Sequence, residues 1–256
     1  MKSMITITSL VLLFYVGMGV YLYMNQSSLL YFPQSEVSHK YPNITMKNDH
    51  ESINVIVLNE GHKNAIIYFG GNAESMAKSA DYIAGQFPNF TCYLMDYRGY
   101  GRSTGEASED ALYSDGLKLY DRIQASHKRI SLGGRSLGTG IATYIAAHRK
   151  VSKLALITPF DSIVNVAQDR YPIYPARYLL HANAYDSLSR VKDIKAKTAV
   201  FMATLDTVVP KKRTQVLIDA FNPTQLEVII IENRGHNDIS SDDKYYRLMQ
   251  VFIGEG

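Results

Sequence analysis

A serine between glycines lies where an apolar run gives way to a helix-like pattern. In "GGRSLGTG", Gly134, Ser136 and Gly138 have the spacing G-x-S-x-G. This spacing is typical of a sharp turn from a strand into a helix, where crowding requires small residues two places from the serine. Such a turn exposes the hydroxyl at the end of the strand, so Ser136 is the candidate nucleophile. The alternative is an ordinary glycine-rich turn. The adjacent Arg135 is expected to pack or to form a structural ion pair, with contact to an anionic substrate as its alternative.

A serine hydroxyl is a poor nucleophile unless a base removes its proton. The chain has seven histidines, at positions 39, 50, 62, 127, 148, 181 and 236. His236, in "ENRGHND", directly follows a long apolar run and has a glycine beside it. The others lie in polar connections, at the end of a helical pattern or in an irregular segment. We therefore expect His236 to be the base; the alternative is a surface loop histidine.

An imidazole base needs a carboxylate that fixes its tautomer and stabilises its charged form. Asp206 comes directly after the strand-like run "TAVFMATL" and is the favoured acid. Asp161, in "TPFDS", also follows a strand-like run and is its rival. Asp238, two residues after the histidine, is expected to stabilise the loop instead.

The negative oxygen of a tetrahedral intermediate needs hydrogen-bond donors already in place, each worth roughly 3 kcal/mol. One donor is expected to be the N–H of Leu137, which follows the candidate nucleophile. The other is expected from "YFGGNAES", where two glycines let the backbone turn so that Asn72 or Ala73 presents its N–H. The alternative for this loop is a plain strand-to-helix turn.

Strand-like runs alternate with helical patterns over the rest of the chain. The runs at 53–59 and 64–70 predict two strands that we expect to form a hairpin around "EGHK". Residues 25–43 are expected to be a linker. The alternation indicates an α/β protein with a mostly parallel central sheet and helices on both faces. Ligands bind beyond the carboxyl ends of such strands, which is where the candidate residues lie.

Residues 161–190 interrupt this alternation with prolines and tyrosines, and we expect them to form a short cap. Tyr171, Tyr174 and Tyr178 are candidates for an apolar lid over an acyl chain. Ordinary packing within the cap is the alternative.

The N-terminus carries an uncharged, apolar run from Met4 to Met24, about as long as a membrane-spanning helix. We expect residues 1–27 to be an uncleaved, single-pass anchor and residues 28–256 to be the main domain. A cleaved signal peptide is the alternative, although no convincing cleavage site closes the run. Lys2 precedes the run, and the next lysine or arginine is Lys40, which favours a main domain on the non-cytoplasmic side.

Composition excludes several classes of protein. The net charge of +3 and the lack of a dense basic stripe argue against a nucleic-acid-binding protein. The single cysteine, Cys92, excludes an internal disulfide and a multi-cysteine metal site, and its apolar surroundings predict a buried thiol. The candidate chemistry requires neither a metal nor an organic cofactor.

The motifs together resemble a known family. "YFGGNAES", "DYRGYGRSTG", "GGRSLGTG", "TPFDS", "LDTVVP" and "GHND", with "SLLYFPQ" after the apolar run, are similar to the membrane-anchored α/β-hydrolases of the Bem46-like group, related to α/β-hydrolase-domain proteins 12, 13 and 17. The similarity extends from about residue 28 to the C-terminus. One departure is Gly70, which stands where many hydrolases have histidine at the start of the oxyanion loop.

This resemblance implies the α/β-hydrolase fold, with Ser136 as nucleophile, Asp206 as acid and His236 as base. Known relatives cleave lysophospholipids, monoacylglycerols or the thioesters of palmitoylated proteins. The resemblance therefore implies hydrolysis of an acyl ester or thioester of a lipid-like substrate. The alternatives are a serine peptidase of the same fold and a non-catalytic, membrane-anchored binding protein.

Overall fold

The computed structural model describes residues 2–180 and 182–254. The strands are β1 (Asn43–Asn48), β2 (Glu51–Leu58), β3 (Asn64–Phe69), β4 (Thr91–Met95), β5 (Arg129–Arg135), β6 (Lys153–Ile157), β7 (Lys197–Ala203) and β8 (Leu226–Ile231). The α-helices are α1 (Lys2–Met24), α2 (Gln26–Leu30), α3 (Met76–Gln86), α4 (Glu109–Ile123), α5 (Leu137–His148), α6 (Ile163–Arg170), α7 (Ala176–Leu179), α8 (Lys211–Ala220) and α9 (Asp243–Gly254).

The eight strands form one sheet in the order β1-β2-β4-β3-β5-β6-β7-β8. The β1–β2 and β2–β4 pairs are antiparallel, and every pair from β4–β3 to β7–β8 is parallel. The prediction of a mostly parallel α/β sheet is confirmed. Because β3, β5, β6, β7 and β8 run in the same direction, the loops after them lie at one edge of the sheet.

The predicted hairpin between β2 and β3 is wrong. β4 lies between them, and β2 pairs with β4 through Val55 and Met95. The hairpin partner of β2 is β1, which begins at the end of the segment expected to be a linker. Asp49 and His50 connect these two strands with φ angles of 48° and 70°, the backbone of a two-residue hairpin turn that matches strand twist. Glycine usually occupies the second position of such a turn. Because His50 stands there instead, the sequence gives no signal for this turn.

Helices cover both faces of the sheet. On one face, α4 and α5 bury Leu112, Ile141 and Ile145 against the strands. On the other, α3 and α9 contribute Ile83 and Phe252 to a second apolar cluster. Both faces of the central parallel strands are thus removed from water, which explains why these strands are continuous apolar runs in the sequence. The edge strand β8 differs, because Val228 and Ile230 are exposed.

Cys92 lies within β4 and is fully buried, as its surroundings predicted. Burial raises the pKa of its thiol to about 12. The side chain therefore packs as a small apolar group and stays protonated at neutral pH.

The predicted cap contains two short helices, α6 and α7, connected by a turn rich in proline. Ser162 begins α6, where its hydroxyl accepts a hydrogen bond from the N–H of Asn165 at 3.1 Å. Asp169, near the end of α6, pairs with Arg213 of α8 at 2.7 Å. This ion pair fastens the segment to the body of the protein.

Helix α1 is exposed along the uncharged run. Among the described residues, Ser3–Met24 is the one helix that is long and apolar enough to cross a membrane, by length and composition, and its most apolar window is not buried by the rest of the chain.

Candidate active site

Ser136 occupies the turn between β5 and α5 in a conformation that L-residues rarely adopt. Its φ is 49° and its ψ is −117°. The N–H of Ser136 donates to the carbonyl of Ile157 at 2.9 Å, and the carbonyl of Ser136 accepts from the N–H of Thr139 at 2.9 Å. Strained backbone of this kind persists only where the surroundings hold it in place, and it occurs most often at functional sites.

The two glycines of the motif are required by close packing around this turn. A Cβ on Gly134 would lie 2.5 Å from the carbonyl oxygen of Gly138. A Cβ on Gly138 would overlap the carbonyl oxygen of Phe69, at the end of β3. The spacing of the two glycines therefore lets the first turn of α5 pack against the sheet, with Ser136 at the edge of the sheet.

His236 lies between Ser136 and Asp206. Its Nε2 is 2.9 Å from Ser136 Oγ, and its Nδ1 is 2.8 Å from Asp206 Oδ2. An ionised carboxylate only accepts hydrogen bonds, so Nδ1–H donates to Asp206 and the lone pair of Nε2 faces the serine hydroxyl. The three side chains, 100 and 30 residues apart along the chain, form one hydrogen-bonded series.

Asp206 is itself held in place by backbone donors. Its Oδ1 accepts hydrogen bonds from the N–H groups of Val208 at 2.8 Å and Val209 at 2.9 Å. Oδ2 is thereby aimed at the imidazole. Asp206 and His236 are largely buried, with 11% and 7% of their side-chain surfaces exposed.

The rival acid has other partners. Asp161 accepts hydrogen bonds from Ser162 N–H at 2.7 Å and from the side-chain amide of Asn165 at 2.8 Å. It also pairs with Arg213 at 3.3 Å. Asp161 therefore organises the start of α6.

Other histidines and acids near the motifs have structural contacts. His127 contacts the hydroxyl of Tyr93, and His148 contacts the carbonyl of Tyr144. Asp238 accepts from the N–H of Gly235 at 2.7 Å, the loop contact expected for it. His181 lies outside the described residues.

The loop after β3 reaches the candidate nucleophile. A Cβ on Gly71 would be 3.9 Å from Ser136 Cβ, an ordinary packing distance. The side-chain amide of Asn72 donates to the carbonyl of Leu30 at 2.9 Å, and its own backbone carbonyl accepts from the hydroxyl of Tyr100 at 2.6 Å. Asn72 is thus fixed by the segment after α1, and it lines the same cavity as Ala73, Ser136 and Leu137.

Leu137 is the first residue of α5, so its N–H belongs to the helix-terminal donors that lack a partner in the preceding turn. A helix N-terminus also favours negative charge. The structure thus brings the residues predicted to supply the oxyanion donors, Leu137, Asn72 and Ala73, to the same cavity as Ser136.

Arg135 forms a structural ion pair, as expected, and it also connects the loops around Ser136, a contact that the sequence did not indicate. Arg135 donates to the carbonyl of Asn237 at 2.8 Å and to that of His236 at 3.3 Å. Its guanidinium also pairs with Glu74 at 3.8 Å. Glu74 in turn accepts from the N–H of Gly71 at 3.0 Å. Arg135 is therefore a structural residue, and the signal in the sequence was only its position beside the serine.

A cavity of about 900 Å³ opens at Ser136 and His236. Its apolar wall includes Leu30, Phe32, Phe160, Val166 and Val208. Of the three candidate lid tyrosines, Tyr171 lines this cavity, while Tyr174 and Tyr178 are not part of its wall. Tyr174 packs against α1 and Tyr178 is exposed.

Among residues 2–180 and 182–254, no group of three or more histidine, cysteine, aspartate or glutamate side chains is arranged to hold a metal ion.

Comparison with known proteins agrees with this geometry. The family model described as the alpha/beta hydrolase fold matches residues 64–176, from β3 to the start of α7. The α/β-hydrolase domain-containing protein aho-3 of Caenorhabditis elegans is 26% identical over 194 residues, or 73% of this chain and 57% of that protein. The α/β-hydrolase domain-containing protein 17B of Xenopus laevis is 24% identical over 199 residues, or 75% of this chain and 67% of that protein.

This chain is a homologue of the α/β-hydrolase-domain proteins. An uncharacterized protein of Mycobacterium tuberculosis is 30% identical over 183 residues, or 70% of this chain and 64% of that protein. The matched region therefore spans less than two thirds of the length of the Mycobacterium tuberculosis protein and of aho-3.

Solved structures show the same fold at low sequence identity. The enol-lactonase from Burkholderia xenovorans LB400 superposes with a TM-score of 0.67 at 15% identity, covering 83% of this chain and all of that one (100%). The Pyrococcus furiosus esterase Pf2001 superposes with a TM-score of 0.69 at 14% identity, covering 88% of this chain and 97% of that one. The α/β-hydrolase fold expected from the motifs is confirmed.

Proposed function

We propose that this α/β-hydrolase-domain homologue is a serine hydrolase that cleaves acyl esters or thioesters of lipid-like substrates. The observation that carries the proposal is the hydrogen-bonded series from Ser136 through His236 to Asp206 at the edge of an open cavity. The strained backbone of Ser136 adds support, because a turn without chemistry has no need of it.

In the proposed mechanism, Ser136 Oγ attacks the acyl carbonyl carbon while His236 Nε2 takes the hydroxyl proton. Asp206 stabilises the resulting imidazolium. The N–H groups of Leu137 and of Asn72 or Ala73 donate to the negative oxygen. The tetrahedral intermediate collapses with cleavage of the C–O or C–S bond, and the leaving group takes the proton from His236.

The second half of the reaction regenerates the serine. His236 removes a proton from water, which attacks the acyl-enzyme carbonyl, and collapse releases the carboxylic acid and returns the proton to Ser136. A lipid-like acyl group is favoured by the apolar cavity wall. The 900 Å³ cavity is within the range of small-molecule sites.

We further propose that α1 is retained as a single-pass anchor, with the catalytic domain on the non-cytoplasmic side. The ring of Tyr15 stacks on that of Tyr174 with 4.9 Å between centroids. This packing favours a helix that stays attached over a signal peptide that is removed. An anchored enzyme would remain at the surface where lipid substrates reside.

The experiment that tests the chemistry is labelling by a fluorophosphonate probe, with hydrolysis of acyl esters, thioesters and peptide amides measured in parallel. The wild-type chain is expected to label and to cleave esters or thioesters, whereas Ser136→Ala is expected to do neither. Ser126→Ala, at an exposed serine, is the matched control. Labelling that persists in Ser136→Ala would refute the mechanism. If the wild-type chain does not label, a non-catalytic binding protein is favoured. If it cleaves peptide amides faster than esters and thioesters, a peptidase is favoured.

A further inference from the structure

Residues 171–180, called here the cap tip, pack against the middle of α1. The Tyr15 and Tyr174 rings are stacked with an interplanar angle of 5°. The Tyr15 hydroxyl donates to the carbonyl of Ile173 at 2.7 Å. A Cβ on Gly19 would lie 3.8 Å from the Tyr174 ring, an ordinary packing distance, so the ring lies directly against the helix here. The tip and the helix therefore form one packed unit.

The position of this contact along α1 sets the depth of the cap tip. Tyr15 lies nine residues before the end of the helix at Met24. At 1.5 Å per residue this is roughly 13 Å along the axis. Half of a bilayer's hydrocarbon core is about 15 Å thick. When α1 crosses a bilayer, the cap tip would therefore reach into the leaflet nearest the catalytic domain.

The surface of the cap tip is suited to that location. Ile173, Tyr178 and Tyr171 are 69%, 66% and 53% exposed. The tip, "YPIYPARYLL", carries one charged residue, Arg177. Several large apolar side chains exposed on one short segment are typical of an interaction surface, because a water-facing loop gains nothing from them.

Every carbonyl of the cap tip from Tyr171 to Ala176 accepts a hydrogen bond from the protein itself. The carbonyls of Tyr171, Tyr174, Pro175 and Ala176 accept from backbone N–H groups at 2.9–3.1 Å. The remaining two carbonyls between positions 171 and 176 accept from the side chains of Gln168 and Tyr15. Prolines at positions 172 and 175 remove two N–H donors altogether. This matters in a bilayer, where each unsatisfied backbone group costs several kcal/mol.

The charges beside the tip fit a phospholipid surface. The guanidinium of Arg177 lies over the ring of Tyr178, 5.2 Å from its centroid. Arg170 precedes the tip, and the sequence from 170 to 180 contains no acidic residue. Long arginine side chains can extend to the headgroup region while their stems stay in apolar surroundings. Guanidinium groups there can form charge-assisted hydrogen bonds with lipid phosphates.

We propose that the cap tip inserts into the phospholipid leaflet beside α1 and turns the mouth of the cavity toward the membrane. Tyr171 belongs both to the tip and to the cavity wall that contains Ser136. An acyl chain can then pass from the leaflet to the nucleophile without crossing water. This inference rests on the proposed retention of α1 and gives the proposed lipid hydrolysis its route of substrate entry.

The test uses the absence of tryptophan from the natural sequence. The full-length Ile173→Trp variant is reconstituted in phosphatidylcholine vesicles containing phosphatidylserine, with or without brominated acyl chains. We expect blue-shifted emission, strong quenching by the brominated lipids and weak quenching by aqueous acrylamide. The matched control is Ile230→Trp, at a 47% exposed position on the edge strand β8. Its indole is expected to show the opposite pattern, with several-fold weaker quenching by brominated lipid.

Tyr178→Trp provides a second reporter on the same surface if Ile173→Trp does not fold. Acrylamide quenching equal to that of Ile230→Trp, or failure of the folded chain to float with the vesicles, would overturn the proposal. The fluorescence does not depend on hydrolysis. A chain whose tip is quenched by brominated lipid but which cleaves no ester or thioester would keep this inference and reject the proposed activity.

Discussion

The Asp206 carboxylate uses its two oxygens differently. Oδ1 accepts from two backbone N–H groups, and Oδ2 accepts from His236. In Asp206→Asn, Oδ1 can keep its backbone donors, which leaves the amide NH₂ facing the imidazole. The ring would then have to present a lone pair at Nδ1 and a proton toward Ser136, the wrong tautomer for a base.

We therefore expect Asp206→Asn to lower kcat by roughly 10⁴-fold while the fold remains intact. The measurement is steady-state hydrolysis of a soluble ester, with circular dichroism to monitor folding. Asp238→Asn is the control, because that acid contacts Gly235 and not the imidazole. Equal activity losses in the two variants would contradict the assignment.

Loss of the Arg135 side chain is expected to change the kinetics in a different way from Asp206→Asn. Its guanidinium holds the carbonyls of His236 and Asn237 and pairs with Glu74. Removing it should loosen the histidine loop, and small misplacement of a catalytic group can lower the rate by about 10²-fold. We expect Arg135→Gln to lower kcat more than it changes KM, and to lower the melting temperature.

Arg102→Gln is the control for this prediction, since Arg102 forms an ion pair with Glu36 at the exposed surface. Such pairs contribute about 0–1 kcal/mol. An Arg135→Gln variant that matches Arg102→Gln in both kcat and melting temperature would show that the guanidinium does not position the loop.

How much of the site could be predicted depends on the residue. Ser136 and His236 can each be predicted from nearby sequence. Ser136 lies in the G-x-S-x-G motif, and His236 follows a strand-like run and has a glycine beside it. Asp206 and Asp161 both follow a strand, and sequence analysis favoured Asp206 with Asp161 as its rival. The structure adds the reason why Asp161 is not the partner of His236, since Asp161 contacts Asn165 and Arg213 instead. The contact of Arg135 with the histidine loop joins segments about 100 residues apart, and no local pattern encodes it.

At the scale of elements, the start of α5 is limited by space. A Cβ on Gly138 would overlap the backbone at the end of β3, which cannot move without displacing the loop at Gly71. We expect Gly138→Ala to destabilise the fold by about 1–3 kcal/mol or more. It should also lower the activity of the protein that does fold, because the candidate nucleophile Ser136 directly precedes α5.

Gly85→Ala is the opposite case and the matched comparison. Gly85 lies in α3, and apart from its chain neighbours and the helix's own backbone no atom lies within 4 Å of the point that an alanine methyl group would occupy. Alanine should stabilise this helix by up to about 1 kcal/mol. For a domain of this size that raises the melting temperature by about 2–4 °C. Thermal unfolding of both variants tests the pair, and a lower melting temperature for Gly85→Ala would contradict the expectation.

The elements also show where prediction from sequence fails. Apolar runs located β2 and β3 to within about two residues, since buried strands leave a strong local signal. Their pairing was wrong because β4, which arrives after α3, is inserted between them. β1 was missed because only Met46 and Asn48 on this edge strand are buried, which leaves little apolar periodicity.

For the whole molecule, one ion pair makes attachment of the cap dependent on pH. Hydrogen bonding to Arg213, with help from Lys212, lowers the pKa of Asp169 from 3.8 to about 2. The folded state therefore favours the ionised carboxylate. Its contribution to stability is complete above the unfolded pKa and is lost as the pH falls through the folded pKa.

We expect the difference in unfolding free energy between wild type and Asp169→Asn to be constant above about pH 5 and to shrink between about pH 4 and pH 2. Urea denaturation of the full chain in detergent at stepped pH measures this difference. A difference that stays the same down to about pH 2.5 would show that Asp169 does not stabilise the fold through its charge.

The buried thiol of Cys92 allows opening of the central sheet to be measured by alkylation. It is the only sulfhydryl in the sequence, and it lies in β4 beneath helices. Alkylating reagents can reach it only when the strand separates from its neighbours. The rate at which a maleimide modifies Cys92 in the native chain therefore reports on opening of the sheet. An inhibitor bound at Ser136 should lower that rate.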